Sequence, residues 1–339
     1  MQKTISEKTE ILIMGDMFLA LCAMTFMACY YYGLRALAVA AVSVVSSYIT
    51  DIICVKIRGK RYDIRDISAV VSGLTLALML PASIPYQYAV LTNVFAIIVA
   101  KQVFGGRENS FFSVPAVGFL FASICWSDII LMYPKPGTAL ELTNTVRDQL
   151  SMSLSATLNI ASNPSVTNID LLLGRFCGPM GATQAIVLIA CAVALVIRHS
   201  MSLLTFFSGL GTVLAFAFFM PKFGSTPLES VMYETVSGMV LFGLVFLASD
   251  CRCLPKRRSA RFLYGIAIGL MTVMFRRIGV VENAIVCAVI IAAPIGISLD
   301  KSALSFSRMY KKSLAVIRRR IRKARQSKIN AGGTGGEQV

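Results

Sequence analysis

The chain has 339 residues, of which 56% are hydrophobic and 15% charged, with a mean hydropathy of +0.71. Soluble globular domains carry about 25% charged residues, so this composition excludes a soluble globular enzyme. The formal net charge of +16 would suit a nucleic-acid binder, but the Lys and Arg residues sit in short blocks between apolar runs. That distribution is a membrane-topology signal and argues against nucleic acid.

A helix needs about 20 apolar residues to cross a bilayer. Backbone groups in lipid must bond internally, so apolar runs of this length read as helices. In chain order the predicted spans are roughly 11–32, 35–55, 66–81, 86–103, 113–133, 181–197, 200–219, 233–249, 261–275 and 281–298. The first has no small-residue cleavage site after it and reads as a retained span. The third is short and ends at Pro81. The fold class is therefore an all-α polytopic membrane protein with about ten transmembrane helices. With both termini cytoplasmic, the outer side keeps only Arg35, Lys135, Arg147, Arg175, Lys222, Arg276 and Arg277. Most of the 33 basic residues then lie inside, as the positive-inside rule requires. Residues 1–300 form the membrane domain.

Between the fifth and sixth spans, residues 134–180 make one long outer connection that opens on Pro134-Lys135-Pro136-Gly137. Loops of this length are commonly functional or disordered, so an external site is expected there. After the last span, residues 301–330 carry Phe306, Met309, Tyr310, Leu314, Ile317 and Ile321 at helical spacing among Arg and Lys. Two readings stay open: a basic amphipathic helix on an anionic leaflet, or a disordered topology anchor. Residues 331–339 are Gly-rich and read as a disordered tail.

Few residues offer chemistry. There are nine Cys, with Cys22, Cys29, Cys54, Cys125, Cys191 and Cys287 inside apolar runs, where free Cys acts as a small hydrophobe. His199 is the single His, which argues against a protein-built zinc or haem site. Gly209 and Gly211 form a G-x-G inside an apolar run without dinucleotide-fold context. Ionisable residues within spans are functional candidates by default. Asp16 and Asp128 are the candidates for an ion path. Asp51, Lys101 and Asp250 fall near cytoplasmic ends, where interfacial placement and lysine snorkelling are the bland explanation.

Four stretches together carry a family resemblance. Asp66-Ile67-Ser68-Ala69-Val70-Val71-Ser72-Gly73-Leu74, running on to Leu80-Pro81, is the first. The second is Phe95-Ala96-Ile97 with Lys101-Gln102-Val103-Phe104-Gly105-Gly106. The others are Ser237-Gly238 to Ala248-Ser249-Asp250, and Tyr264-Gly265 to Arg276-Arg277-Ile278-Gly279. In this order they resemble the NqrB/RnfD family, the flavin-carrying membrane subunits of ion-pumping redox complexes. The length fits the RnfD branch, since NqrB members carry a longer N-terminal extension.

The resemblance implies FMN joined through its phosphate to a threonine in a motif close to S-G-A-T within the outer loop. The matching residues are Leu154-Ser155-Ala156-Thr157, with Ala156 and Thr157 kept. Thr157 is therefore the expected attachment point, flanked by Ser155 and Ala156. Thr183, in Met180-Gly181-Ala182-Thr183, is the alternative, although that stretch also resembles the family's G-x-x-G-E-T-S-A helix start. The implied function is an electron-transfer subunit of an Rnf-type complex in the bacterial inner membrane. It would relay electrons between ferredoxin and NAD, coupled to Na⁺ or H⁺ movement. The implied partners are other membrane, flavin and iron–sulfur subunits, and a second flavin such as riboflavin is compatible. A secondary transporter built on broken helices and a membrane scaffold without flavin are the competing readings.

Overall fold

The computed structural model describes residues 2–59, 66–106, 112–137, 140–142, 150–160, 168–221, 226–249, 254–278, 282–296 and 298–300. The basic segment 301–330, the tail, Arg147, Lys222 and Asp250 lie outside the described residues. The architecture is helical, with one two-stranded sheet among the described residues.

Two long apolar helices open the chain, α1 (Gln2–Tyr32) and α2 (Leu34–Ile57), joined at Gly33. The apolar part of α1, Glu10–Tyr32, and the whole of α2 are each long and apolar enough to cross a membrane alone. Next comes α3 (Ser68–Met79). At 12 residues and 1.5 Å rise per residue, it falls well short of a 30 Å bilayer core. It is almost wholly buried by its neighbours, so protein, and not lipid, surrounds both its ends. The carbonyls of Leu78 and Leu80 near its end accept from the backbone N–H groups of Gly181 and Met180. This answers the need to satisfy helix ends inside a membrane. Beyond it the buried Arg35 side chain donates to the carbonyls of Ala82 and Ser83, and to that of Glu141 in the outer connection.

Helix α4 (Tyr86–Phe95) runs on as a π-helical stretch, Ala96–Gln102. The expected fifth span, 113–133, is corrected. Its helix α5 (Val114–Cys125) stops at Trp126, a single turn α6 (Ser127–Ile130) follows, and Met132–Pro134 is strand β1. Hydropathy misses this break because Ile129, Ile130 and Leu131 continue the apolar run past it. The connection expected on the outer side is partly ordered. Strand β2 (Leu150–Met152) pairs antiparallel with β1, setting Tyr133 opposite Ser151. Two short helices follow, α7 (Leu154–Ile160) and α8 (Asn168–Leu173).

The second half contains α9 (Ala185–Ile197), α10 (Leu203–Phe219), α11 (Pro227–Val236), α12 (Val240–Phe242) with its π continuation Gly243–Leu247, α13 (Arg258–Arg277) and α14 (Ala284–Asp300). The expected span 233–249 is not one straight helix. It is a pair, α11 and α12, bent by 58°. The break carries Gly238 at φ +65° and Met239 at φ +61°. Arg276 fixes it by donating to the carbonyls of Glu234 (2.6 Å) and Ser237 (2.7 Å). Helix α12 with its continuation is buried throughout, as α3 is. The two approach one another at Gly181, where an added Cβ would sit 2.8 Å from Leu78 and 3.0 Å from Phe242.

Candidate functional site

Helix α7 begins at Ser153, whose hydroxyl accepts from the N–H of Ala156 at 3.1 Å. This is an N-cap, and it turns the expected loop threonine into a residue of a helical first turn. Thr157 is exposed. Its hydroxyl donates to the carbonyls of Leu154 (2.9 Å) and Ser153 (3.1 Å). These are local bonds that leave the oxygen's acceptor side toward solvent. Ser155 is buried, and Ala156 is half-buried. The N–H of Leu154 donates to the carbonyl of Cys177, which ties α7 to the segment before α9.

Thr183 is in a different situation. It is 1% exposed, and its Cγ2 would meet a Cβ on Gly178 at 2.8 Å. A hydroxyl sealed in this way offers no approach to a modifying enzyme.

Beneath α7 lies a small, partly open cleft. It joins three stretches far apart in sequence: Ser153–Ser155, Phe176–Pro179 and Val236–Met239, with Glu282 and Asn283 between α13 and α14. The cleft therefore unites the threonine-bearing segment, the glycine motif before α9 and the break between α11 and α12. Buried polar atoms collect here. Ser237 Oγ, Glu282 Oε1, both amide atoms of Asn283 and the hydroxyl of fully buried Tyr133 make no hydrogen bond of normal geometry. Tyr133 nevertheless faces Glu282 and Asn283, and burial holds its hydroxyl well above the usual phenol range. Burial also raises the thiol of Cys177 and pushes the Glu282 carboxyl up to about 7, against the opposing hydrogen-bonding effect of Ser153 and Tyr133.

The other predicted residues are not brought to this cleft. Asp16 is buried midway along α1. It pairs with Arg198 at 2.6 Å and accepts from the Ser200 hydroxyl, tying α1 to the α9–α10 connection. Asp128 is exposed on α6 beside Ser127. Asp51 and Lys101 are both buried within the protein, so the Lys101 ammonium does not extend to solvent. Each is 1% exposed, and they form an ion pair at 2.9 Å, with Asp66 3.4 Å from the same ammonium. Gln102 closes the group by donating to Asp51, and Arg58 donates to Gln102. Among the described residues no cluster of His, Cys, Asp and Glu could hold a metal ion.

Glu282, Asn283, Tyr133 and Ser237 escape the sequence reading as site residues. One signal was available: Glu282 is a carboxylate at the head of an apolar run, followed at once by a second polar residue, Asn283.

Comparison with known proteins agrees with the motifs. The family described as NQR2, RnfD, RnfE matches residues 5–302. The D-type subunit of the Na⁺-translocating ferredoxin:NAD⁺ oxidoreductase complex of Acetobacterium woodii is 31% identical over 269 residues, covering 79% of this chain and 80% of that protein. Its counterpart in the proton-translocating ferredoxin:NAD⁺ oxidoreductase complex of Clostridium ljungdahlii is 23% identical, with 85% and 88% covered. The counterpart in an ion-translocating oxidoreductase complex of Methanosarcina acetivorans is 26% identical, with 76% and 77% covered. By the extent of the match and the identity to its relatives, this membrane chain belongs to the NQR2, RnfD, RnfE family.

Proposed function

We propose that this chain is the D-type membrane subunit of an Rnf-type complex, carrying FMN in phosphoester linkage to Thr157 on the extracytoplasmic side. In this reading it crosses the inner membrane about ten times with both termini inside. With partner subunits it relays electrons between ferredoxin and NAD⁺, coupled to Na⁺ or H⁺ movement. Family membership and the names of the relatives support the complex and its overall reaction. The observation that supports the site is the contrast between two threonines: Thr157 is exposed on a capped first turn, and Thr183 is sealed.

The residues present fit a tethered flavin. Ser153 caps and orients the turn that bears Thr157, while Ser155 and Leu154 face the cleft beside the unsatisfied groups of Ser237 and Asn283. The flavin, when bound, supplies one- and two-electron chemistry; the chain supplies attachment, orientation and electrostatics. Arg276 fixes the backbone of the opposite wall by holding the carbonyls of Glu234 and Ser237.

The test is co-expression with a flavin transferase, followed by a denaturing gel viewed under ultraviolet light. A fluorescent band that is lost in Thr157→Ala and kept in Thr183→Ala is expected. Loss only in Thr183→Ala would move the site, and no band in any form would favour a transporter or a flavin-less scaffold. Membrane-impermeant thiol labelling of a cysteine placed next to Thr157 should occur from the outer side; labelling from the cytosol would overturn the topology.

A further inference from the structure

The attachment of a flavin leaves one ionisable group of the outer cleft without a task. Glu282 stands in the turn between α13 and α14, outside the helical spans. It meets Ser153 at the start of α7 and Tyr133 on β1. Cys177 and Ser237 line the same cleft from the segments before α9 and after α11. On α13, Arg276 reaches the neighbouring break at Gly238, and the carbonyls of Glu234 and Ser237 engage its guanidinium.

Buried polar atoms without partners are costly and are commonly met by exchangeable water. Here Tyr133 Oη, Ser237 Oγ and both amide atoms of Asn283 make no hydrogen bond of normal geometry, and neither does Glu282 Oε1, although Tyr133 interacts with both Glu282 and Asn283. The set mixes donors with acceptors. A bare cation would leave Asn283 Nδ2 unsatisfied and would sit near the Arg276 guanidinium, whereas a proton shared through water and hydroxyls satisfies both kinds of group.

We propose that Glu282 is a proton-binding group linked to the redox state of the flavin on α7. The inference rests on FMN being carried by Thr157. Thr157 lies two residues beyond Ser155 on the same turn, ~3 Å along the helix axis and with its side chain on the exposed side, so an attached group starts at the rim of the cleft. An electron entering from a reduced flavin or iron–sulfur centre of another protein in the complex adds one negative charge beside Glu282. One O–H bond then forms on the carboxylate, with the proton taken from extracytoplasmic water, and the net charge of the cleft is unchanged. When the electron passes to the next carrier, that O–H bond breaks and the proton returns to water. The carboxyl's raised acidity range, near neutrality, permits this exchange at ordinary pH.

Two measurements on the full chain, purified in detergent, test this. In the first, a redox titration of the fluorescent, FMN-loaded protein should give a midpoint potential that falls with rising pH through neutrality. Glu282→Gln should weaken that fall around neutrality while keeping its covalent flavin. An unchanged pH dependence in the variant, or a potential that follows Na⁺ in place of pH, overturns the proposal. In the second, infrared titration of Thr157→Ala, which has no attachment point, should show a carboxylic acid signal that disappears through neutral pH and is missing in Thr157→Ala/Glu282→Gln. Absence of that signal overturns the proposal independently of any flavin, so its failure is distinct from a failure of attachment.

Discussion

Two of the cations that the molecule buries at helix ends, Lys101 and Arg276, are treated differently. Lys101, at the end of the π continuation of α4, is matched by carboxylates, Asp51 and Asp66, and backed by Gln102 and Arg58. Arg276, at the end of α13, is held by the carbonyls of Glu234 and Ser237. The first group is closed, with charges matched and bonds made. The second commits its cation to backbone and leaves the Glu282 carboxyl nearby with an unpaired oxygen. The same tripeptide marks both regions. Val71-Ser72-Gly73 continues helix α3, packed so tightly that a Cβ on Gly73 would lie 2.5 Å from Ser47 Oγ. Val236-Ser237-Gly238 breaks the chain between α11 and α12, with Gly238 at φ +65° against Arg276. Identical local sequence therefore takes two conformations, and only the second lies against a distant buried arginine. A closed group acts as a clamp; an open one is left available for chemistry.

Removing half of the clamp gives the largest expected effect. Lys101→Ala or Asp51→Ala strands a buried charge, which typically costs about 3–5 kcal/mol. Thermal unfolding in detergent should show a collapse in stability and yield, largely rescued when Lys101→Met and Asp51→Leu are combined. Equal stability of the single variant and wild type would show that this group is not a clamp.

Gly238→Ala comes next. It places a Cβ at positive φ and against Arg276, so about 1–3 kcal/mol is expected from backbone strain alone, and more from the contact. Gly59→Ala has the same φ of +65° but open space around it, and should cost only about 1 kcal/mol. If unfolding measurements rank the two equally, Arg276 does not lock the break.

A pH-dependent effect follows from Glu282. Its carboxyl is raised from 4.5 to about 7, so the fold prefers the protonated form. The stability this contributes is fully present below pH 4.5, declines as pH rises, and is lost through pH 7. The unfolding temperature should fall across that window in wild type and fall less in Glu282→Gln. The smallest effect belongs to Ser153→Ala, which removes the cap of α7 at about 1 kcal/mol. Hydrogen exchange should show faster opening of α7 with the membrane core unchanged.

Much of the fold was legible because lipid imposes a simple code. Helices α1, α2, α10 and α13 follow their apolar runs closely. The misses are places where tertiary contacts overrule hydropathy. Trp126 ends α5 inside the expected fifth span, where apolar residues flank Ser127 and Asp128 on both sides. Ser237 and Gly238 look like ordinary small residues of a packed helix until Arg276 is seen beside them. Ser153 followed by a Leu154–Leu158 spacing was a readable helix start within a segment expected to be a loop. Glu282 was hidden by being counted into the tenth span, although it precedes the helix.

Whether the exposed threonine of α7 carries the flavin is tested most directly by peptide mass spectrometry. The full chain is purified after co-expression with a flavin transferase and then digested with a protease. An FMN mass increment is predicted on the peptide containing Ser155-Ala156-Thr157 and none on the peptide containing Thr183. An increment on the Thr183 peptide, or unmodified forms of both, would contradict the assignment.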